Sequence, residues 1–226
     1  MWQICGTSEK DINFFKENFS LDEITSKLLS IRKIKREDVQ SFLKPSIKNY
    51  LPNPEIINDM KKSVQRTTVS ISKKDKIGIF GDYDVDGASA SALLANFFSN
   101  IKIPYDIYIP DRKKEGYGPS IESFKKLIDC GVKLIFTVDC GTLSFEAINY
   151  ALEKKIDVIV LDHHQSEINL PKAHSVVNPN RLDDKSNLKY LCAAGVTFMF
   201  LIALNKEIRL TNWFIDQKIT EPNLIE

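Results

Sequence analysis

From Lys76 onwards, short apolar β-rich runs alternate with helical segments along the chain. In order, these segments read KIGIF, ASASALLANFFSN, YDIYIP, SIESFKKLID, KLIFTVD, FEAINYALEKK and DVIVLDHH. Continuous apolar strands need cover on both faces, and strands that are joined through helices run parallel. Right-handed crossovers place those helices on the two sides of the sheet. The sequence therefore predicts an α/β fold, a parallel sheet with flanking helices.

The first 70 or so residues have a different pattern. Apolar residues recur at spacings of three and four, typical of amphipathic helices, through DINFFKENFSLDEITSKLLSIRKIKREDVQSFLKP. Pro45, Pro52 and Pro54 interrupt the stretch that follows, and IINDMKKSVQR offers another helix. We therefore predict a helical N-terminal region over residues 1–70, followed by the α/β domain over residues 71–226.

Composition excludes several classes of protein. The 31 Lys and Arg residues nearly balance the 30 Asp and Glu residues, so any nucleic-acid binding must come from local basic patches. The cysteines Cys5, Cys130, Cys140 and Cys192 form no CxxC pair, which argues against a disulfide framework or a structural zinc site. Apolar runs are too short to span a bilayer, and the N-terminus lacks a signal-peptide layout. We expect a soluble cytoplasmic protein that does not bind a membrane.

Ionisable residues collect at the predicted carboxyl ends of three strands. They are Asp82, Asp84 and Asp86 after KIGIF, Asp139 at the end of KLIFTVD, and Asp162, His163 and His164 at the end of DVIVLD. The carboxyl ends of the strands in an open α/β sheet border the crevice where ligands bind, so these residues can converge. Carboxylates with an imidazole and without thiolates suit Mn²⁺ or Mg²⁺. The pattern favours a divalent metal site.

Each of these elements also has a purely structural interpretation. A lone DxD motif after a strand is often a solvated turn or a helix N-cap, and Asp139-Cys140-Gly141 is a common loop sequence. Cys140 is more simply a small packed residue than a nucleophile, since no base lies beside it. His163 and His164 could be surface residues, and no zinc-protease spacing accompanies them. The coincidence of three acidic strand ends favours the functional interpretation.

The motifs GDYDVDG, VDCG and LDHH, in this order, resemble the first three motifs of the DHH phosphoesterase superfamily. The segments PDRKKEGYGPS, LPKAHSVVNPNR and AAGVTFMF, with the helical N-terminal region, resemble the N-terminal half of the bacterial RecJ family of single-stranded-DNA-specific exonucleases. The resemblance covers nearly the whole chain. It implies a hydrolase that uses two Mn²⁺ or Mg²⁺ ions to remove nucleotides from the 5′ end of single-stranded DNA, in DNA repair and recombination.

The resemblance also implies the metal ligands. Asp84 and Asp86 would each hold one of two divalent ions, and Asp139 would bridge them. His163 would be a further ligand, and Asp82 a ligand or a neighbour of one.

Three further positions bear on the chemistry. Phe80 stands where many superfamily members have a metal-binding histidine, so the ligands of the first ion stay open. By the resemblance, Asp162 would orient the histidines or complete a metal shell. His164 would contact the scissile phosphate and stabilise its charge.

Substrate binding is predicted from a basic turn. Most charge runs are solvated faces, but Arg112 and Lys113 follow the strand YDIYIP and should open onto the same crevice. Tyr117, between two glycines, could stack on a base or anchor its loop. Single-stranded DNA is the expected partner, with a single-strand-binding protein and a helicase as candidate protein partners.

Two alternatives stay open: a DHH-family phosphodiesterase on short oligonucleotides or cyclic dinucleotides, and a catalytically weak RecJ-like scaffold in a replication assembly. RecJ relatives continue past WFIDQKITEPNLIE into a strand with a fourth-motif aspartate and into C-terminal domains. We therefore expect a chain that is truncated before those parts, binds the first metal better than the second and hydrolyses DNA poorly by itself. We also expect exposed apolar surface on the helix through Val196 to Leu204.

Overall fold

The structure, a computed structural model, describes residues 6–225, with no side chains described at positions 48 and 49. Cys5 lies outside the described residues, and the other three cysteines are free. The chain divides into two compact units between Asn53 and Pro54. Among the described residues, no helix is long and apolar enough to cross a membrane.

The first unit is helical, as predicted. Its helices are α1 (Glu9–Phe19), α2 (Glu23–Ile31), α3 (Val39–Leu43) and α4 (Ile47–Tyr50). The side chains of Ser8 and Asp22 cap α1 and α2 by accepting hydrogen bonds from backbone N–H groups of the first turn. Phe15, Leu29 and Val39 form the buried core of this unit.

The second unit contains the parallel sheet. Its elements are α5 (Met60–Lys73), β1 (Ile77–Gly81), α6 (Val85–Asn100), β2 (Tyr105–Tyr108), α7 (Ile121–Asp129), β3 (Leu134–Val138), α8 (Phe145–Glu153), β4 (Asp157–Leu161), β5 (Ser175–Val177), α9 (Ala193–Leu210) and α10 (Trp213–Gln217). The predicted α/β class is confirmed. The strand β5 was not predicted, because three residues are too few to display a period.

The strands are all parallel and follow the order β2-β1-β3-β4-β5. Ile77 of β1 therefore pairs with Tyr105 on one side and with Leu134 on the other. The chain leaves β1 toward one edge of the sheet and later returns on the other side of β1 with β3. The carboxyl ends of β1 and β3 thus flank the switch point where α/β sheets bind ligands.

Helices cover both faces of the sheet. On one face, Phe80 packs with Phe124 of α7 in a cluster that includes residues of α8. On the other, Phe136 contacts Phe98 of α6 and Phe200 of α9. Adjacent strand residues point to opposite faces, so the continuous apolar strands serve two cores.

The packing around helix α9 differs from two of our expectations. Val196, Phe200 and Leu204 are fully buried, so the expectation of exposed apolar surface on this helix is wrong. Contacts with α5, α6 and the sheet cover it. Because α5 packs on α9 and β5, it belongs to the second unit, and the units divide earlier than the expected boundary near residue 70.

Candidate metal centre

The first carboxylates lie on the turn from β1 into α6. The strand ends at Gly81, Asp82 is 4% exposed, and Asp84 is the N-cap of the helix. Oδ1 of Asp84 accepts hydrogen bonds from the backbone N–H groups of Asp86 (2.8 Å) and Gly87 (3.0 Å). The alternate spacing of the aspartates therefore reflects a strand-to-helix turn and not one face of a strand. Asp84 makes the capping contact that the structural interpretation allowed.

Replacing Gly87 with alanine is expected to destabilise this turn. A Cβ atom at position 87 would lie 2.6 Å from the carbonyl oxygen of Asp82, which is backbone and cannot rotate away. Overpacking of this kind costs about 1–3 kcal/mol of unfolding free energy, measurable by urea denaturation. Gly6→Ala is the control, since no atom lies within 4 Å of its added Cβ. Equal stability of the two variants would contradict the prediction.

Asp139 follows β3 and meets the histidines that follow β4. It is 1% exposed and has a left-handed backbone, with φ of 61°. Its Oδ1 lies 3.2 Å from Nε2 of His163 and 4.0 Å from Nδ1 of His164. Gly141 allows the turn, because its φ is 110° and a Cβ there would lie 2.3 Å from Oγ1 of Thr137. The predicted convergence of these strand ends is present.

Two groups of possible ligand atoms result, and they share one residue. Within each group, one oxygen or nitrogen atom of every member lies within 4.8 Å of the others. Among the described residues, the groups are Asp82, Asp84 and Asp139, and Asp139, His163 and His164. Asp139 thus occupies the position that a bridging carboxylate needs.

The carboxylates of the first group affect one another's pKa. Burial, then the contact with Asp84 and the charge of Asp86, raises the pKa of Asp139 to about 8. Burial also raises the pKa of Asp82. The N–H group of Gly87 lowers the pKa of Asp84, so that carboxylate stays ionised. A bound cation would offset the cost of charging Asp82 and Asp139.

The cluster fits a divalent ion. Oδ1 of Asp82 and Oδ1 of Asp139 are buried and lack a hydrogen-bond partner. An unsatisfied buried acceptor costs about 1–3 kcal/mol, which a cation would recover. Oxygen donors with an imidazole suit Mn²⁺ or Mg²⁺, as predicted.

Asp162 makes a different set of contacts. It is 1% exposed, and its Oδ2 accepts the backbone N–H of Thr142 at 3.1 Å. Its Oδ1 accepts hydrogen bonds from Nδ1 of His164 and from the backbone N–H of His163, both at 2.7 Å. Burial raises its pKa, but the hydrogen bonds from His164 and Thr142 together lower the pKa of Asp162 to about 2. An ionised carboxylate only accepts, so Nδ1 of His164 carries the proton and Asp162 orients the ring.

Three polar residues around the turn of His163 and His164, namely Thr142, Asn178 and Asn180, were not predicted from the sequence. Asn178 is fully buried and donates from Nδ2 to the carbonyl of His164 (2.8 Å) and to Oγ1 of Thr142 (2.9 Å). Asn180 donates from Nδ2 to the carbonyl of His163. Both asparagines follow β5. The signal that could have identified them is their position directly after a strand, and this signal is visible only if the short strand β5 is recognised.

Asp86 contacts the start of a distant helix. Its carboxylate accepts the backbone N–H groups of Ala193 (2.7 Å) and Ala194 (2.8 Å) in the first turn of α9, where the helix dipole favours negative charge. Oδ2 of Asp86 also lies 3.5 Å from Nε2 of His163. Asp86 belongs to neither ligand group of the described residues, and its role as a ligand stays a prediction.

Phe80 and Cys140 are both core residues. Phe80 stacks on Tyr108 with ring centroids 5.7 Å apart and is fully buried in the core. Cys140 is 1% exposed, and its Sγ donates to the carbonyl of Val138 at 3.4 Å. Burial raises the pKa of the Cys140 thiol. The prediction of a packed residue is confirmed for Cys140.

The predicted substrate-binding residues lie in the loop after β2. The guanidinium carbon of Arg112 lies 5.2 Å from the ring centroid of Tyr83, the residue after Asp82. Lys113 is exposed. Tyr117 donates from its hydroxyl to the carbonyl of Asp139 at 3.0 Å and is 56% exposed. Tyr117 thus anchors its loop at the site and still presents its ring.

Residues 76–222 match the family model described as "DHH family, N-terminal domain". The chain belongs to the DHH family. It is 31% identical over 208 residues to the single-stranded-DNA-specific exonuclease RecJ of Bacillus subtilis, and 34% identical over 185 residues to RecJ of Escherichia coli. These alignments cover 92% and 81% of this chain but 26% and 32% of the relatives. This DHH chain therefore spans about a third or less of the curated relatives it matches.

Solved structures agree with the DHH assignment. A crystal structure of exonuclease RecJ bound to manganese superposes with a TM-score of 0.62 at 28% identity, covering 67% of this chain and 38% of that one. RecJ of Thermus thermophilus in complex with Mn²⁺ superposes with a TM-score of 0.72 at 21% identity, covering 91% and 28%. The second comparison supports the fold alone.

Proposed function

We propose that this chain carries the metal-dependent centre of a phosphodiester hydrolase that acts as a 5′→3′ exonuclease on single-stranded DNA. The observation that carries the proposal is the pair of ligand groups that share buried Asp139, with two carboxylate oxygens that lack hydrogen-bond partners. The relatives support the substrate, since they are named single-stranded-DNA-specific exonucleases. The manganese-bound RecJ structure supports the cofactor.

Asp82, Asp84 and Asp139 would hold the divalent ions, with His163 and Asp86 as further ligands. Such ions, when bound, activate water and stabilise charge on the phosphoryl and leaving oxygens. The buried Oδ1 atoms of Asp82 and Asp139 accept no hydrogen bond from the described residues.

His164 would stabilise the scissile phosphate. The hydrogen bond to Asp162 raises the pKa of His164 and thus favours its charged form. Because Nδ1 is bound to Asp162, Nε2–H is the donor left for a phosphate oxygen, which would replace the Tyr117 hydroxyl that lies 3.4 Å from Nε2. The side chain is 46% exposed, so substrate can approach it.

Labelled DNA tests the proposed function under single-turnover conditions, with protein in excess. With Mn²⁺ or Mg²⁺, a 5′-labelled single strand is expected to release its label as the first product, whereas a 3′ label should remain on shortening strands. Double-stranded DNA should not be cleaved, and a chelator should stop the cleavage of single strands. Undiminished cleavage in chelator, or release from the 3′ end first, would refute the proposal.

The same assay separates the alternatives. Cleavage restricted to short oligonucleotides or cyclic dinucleotides would indicate the phosphodiesterase, and Mn²⁺ binding without hydrolysis would indicate the scaffold. A role in DNA repair and recombination, a cytoplasmic location, and partnership with a single-strand-binding protein and a helicase belong to the same proposal. They follow from the family resemblance.

Arg112→Ala is expected to weaken DNA binding and raise KM with little change in kcat, because a phosphate contact positions the strand. The plot of the logarithm of the DNA association constant against the logarithm of the salt concentration should become less steep by about 1. Fluorescence anisotropy over a range of salt concentrations measures this. Lys154→Ala is the matched control, because Lys154 follows α8 at the amino end of the strands. Equal salt slopes for Arg112→Ala and the unsubstituted chain would contradict the prediction.

A further inference from the structure

Asn178 lies behind the turn that carries His163 and His164. It directly follows β5 and is fully buried. Its Nδ2 donates to the carbonyl of His164 at 2.8 Å and to Oγ1 of Thr142 at 2.9 Å. Its Oδ1 accepts the backbone N–H of Asn180 at 2.7 Å. Every hydrogen-bonding atom of this side chain is therefore used inside the protein.

The partners of Asn178 require a neutral amide in one orientation. A carbonyl oxygen only accepts hydrogen bonds, so the atom of Asn178 that faces the carbonyl of His164 must be a donor. A flipped amide or a carboxylate of the same shape would place an oxygen there instead. Aspartate is thus isosteric at this position but electrostatically wrong.

Asn178 connects the ends of three strands. Thr142, after β3, donates its backbone N–H to Asp162 at 3.1 Å. Asp162, after β4, accepts the backbone N–H of His164 at 3.2 Å and its Nδ1 at 2.7 Å. From the end of β5, Asn178 holds both Thr142 and the main chain of His164. It thereby holds both the residue that donates to Asp162 and the residue whose imidazole contacts Asp162.

We infer that Asn178 is a positioning residue for the proposed hydrolysis and acts through His164. By holding the main chain of His164, it keeps Nδ1 of the imidazole on Asp162 and leaves Nε2, beside the Tyr117 hydroxyl, as the nitrogen that would bind the phosphate. The inference rests on the proposed function for its kinetic consequence. Groups that orient reactive or ligating residues typically contribute about 10–100-fold to activity or metal affinity.

The kinetic test uses Asn178→Asp, which keeps the shape and removes both donors. We expect kcat to decrease about 10–100-fold with KM nearly unchanged. In a His164→Ala background, the same substitution should change kcat no further, because Asn178 affects the reaction only through the imidazole of His164, which is already absent. Asn205→Asp is the matched control, since Asn205 is also buried and donates from Nδ2 to Glu221.

A second readout does not depend on activity. The backbone N–H groups of Thr142 and His164 both donate to Asp162, so their hydrogen exchange in the metal-free chain reports the contact. NMR should find faster exchange at both in Asn178→Asp and no change in the control. If Asn178→Asp does not fold, Thr142→Val removes one acceptor of the same amide and should accelerate exchange at His164.

The outcomes separate this inference from the proposed function. Full kcat in Asn178→Asp, or an undiminished effect in the His164→Ala background, would overturn it. If the unsubstituted chain bound no Mn²⁺ and cleaved no DNA, the proposed function would be refuted. Hydrogen exchange at Thr142 and His164 would then test only whether Asn178 positions His164. Faster exchange in Asn178→Asp supports that role, and unchanged exchange overturns it.

Discussion

Asp139→Asn is expected to abolish metal-dependent hydrolysis and to stabilise the metal-free chain. Asp139 is 1% exposed and belongs to both ligand groups, so its substitution weakens both. Asparagine has the same shape and lacks the charge that draws a cation. Calorimetric titration should lose tight Mn²⁺ binding, and DNA cleavage should fall to background.

The stability effect has a defined dependence on pH. Burial raises the pKa of Asp139 to about 8, above its unfolded value of about 3.9. The fold thus favours the protonated carboxyl, whose contribution is fully present below the unfolded pKa and is lost as pH rises through about 8. Urea denaturation in chelator should find that the unsubstituted chain loses unfolding free energy between about pH 4 and pH 8, and that Asp139→Asn loses much less.

Mn²⁺ should reverse the order of stability. An ion that binds only the folded, unsubstituted chain stabilises it in proportion to the logarithm of the ion concentration. Asp216→Asn is the control for removing one negative charge, because Asp216 is exposed on α10. Equal Mn²⁺ affinity in Asp139→Asn and the unsubstituted chain would contradict the bridging role.

His164→Ala is expected to lower kcat by about 10²–10³-fold while Mn²⁺ binding is retained, as for the loss of one transition-state donor. The reason is the geometry of the ring: Nδ1 is bound to Asp162 at 2.7 Å, so Nε2, which lies 3.4 Å from the Tyr117 hydroxyl, is the nitrogen left to bind a substrate oxygen. Steady-state cleavage at saturating DNA and Mn²⁺ titration of the same samples measure the two quantities.

The third histidine of the chain is the matched control for this prediction. His174 lies immediately before β5, near Asp157. His174→Ala should therefore leave kcat unchanged. If His164→Ala instead lost its Mn²⁺, His164 would be a ligand, a role open to it because it shares a group with Asp139 and His163.

The class of fold was predictable because it depends on local patterns. Apolar runs followed by helical segments specify strands and crossover helices, and this order leads to a parallel sheet. β5 escaped prediction because its three residues become a strand only through pairing with β4, as in Ile159 with Ser175. The cover of Val196 to Leu204 likewise depends on contacts with α5, α6 and the sheet, which no pattern within α9 contains.

The sequence by itself determined the class of fold and which residues follow β1, β3 and β4, including Asp82, Asp139 and His163. Parallel strands bring such residues to one edge, and that rule needs no coordinates. Only the tertiary structure decided what each of them contacts. Asp86 meets the amides of α9, and Asn178 holds His164, through hydrogen bonds whose partners lie 107 and 14 positions away in the chain. Hydrogen bonds require atoms within about 3 Å in a defined direction, and packing alone sets that geometry.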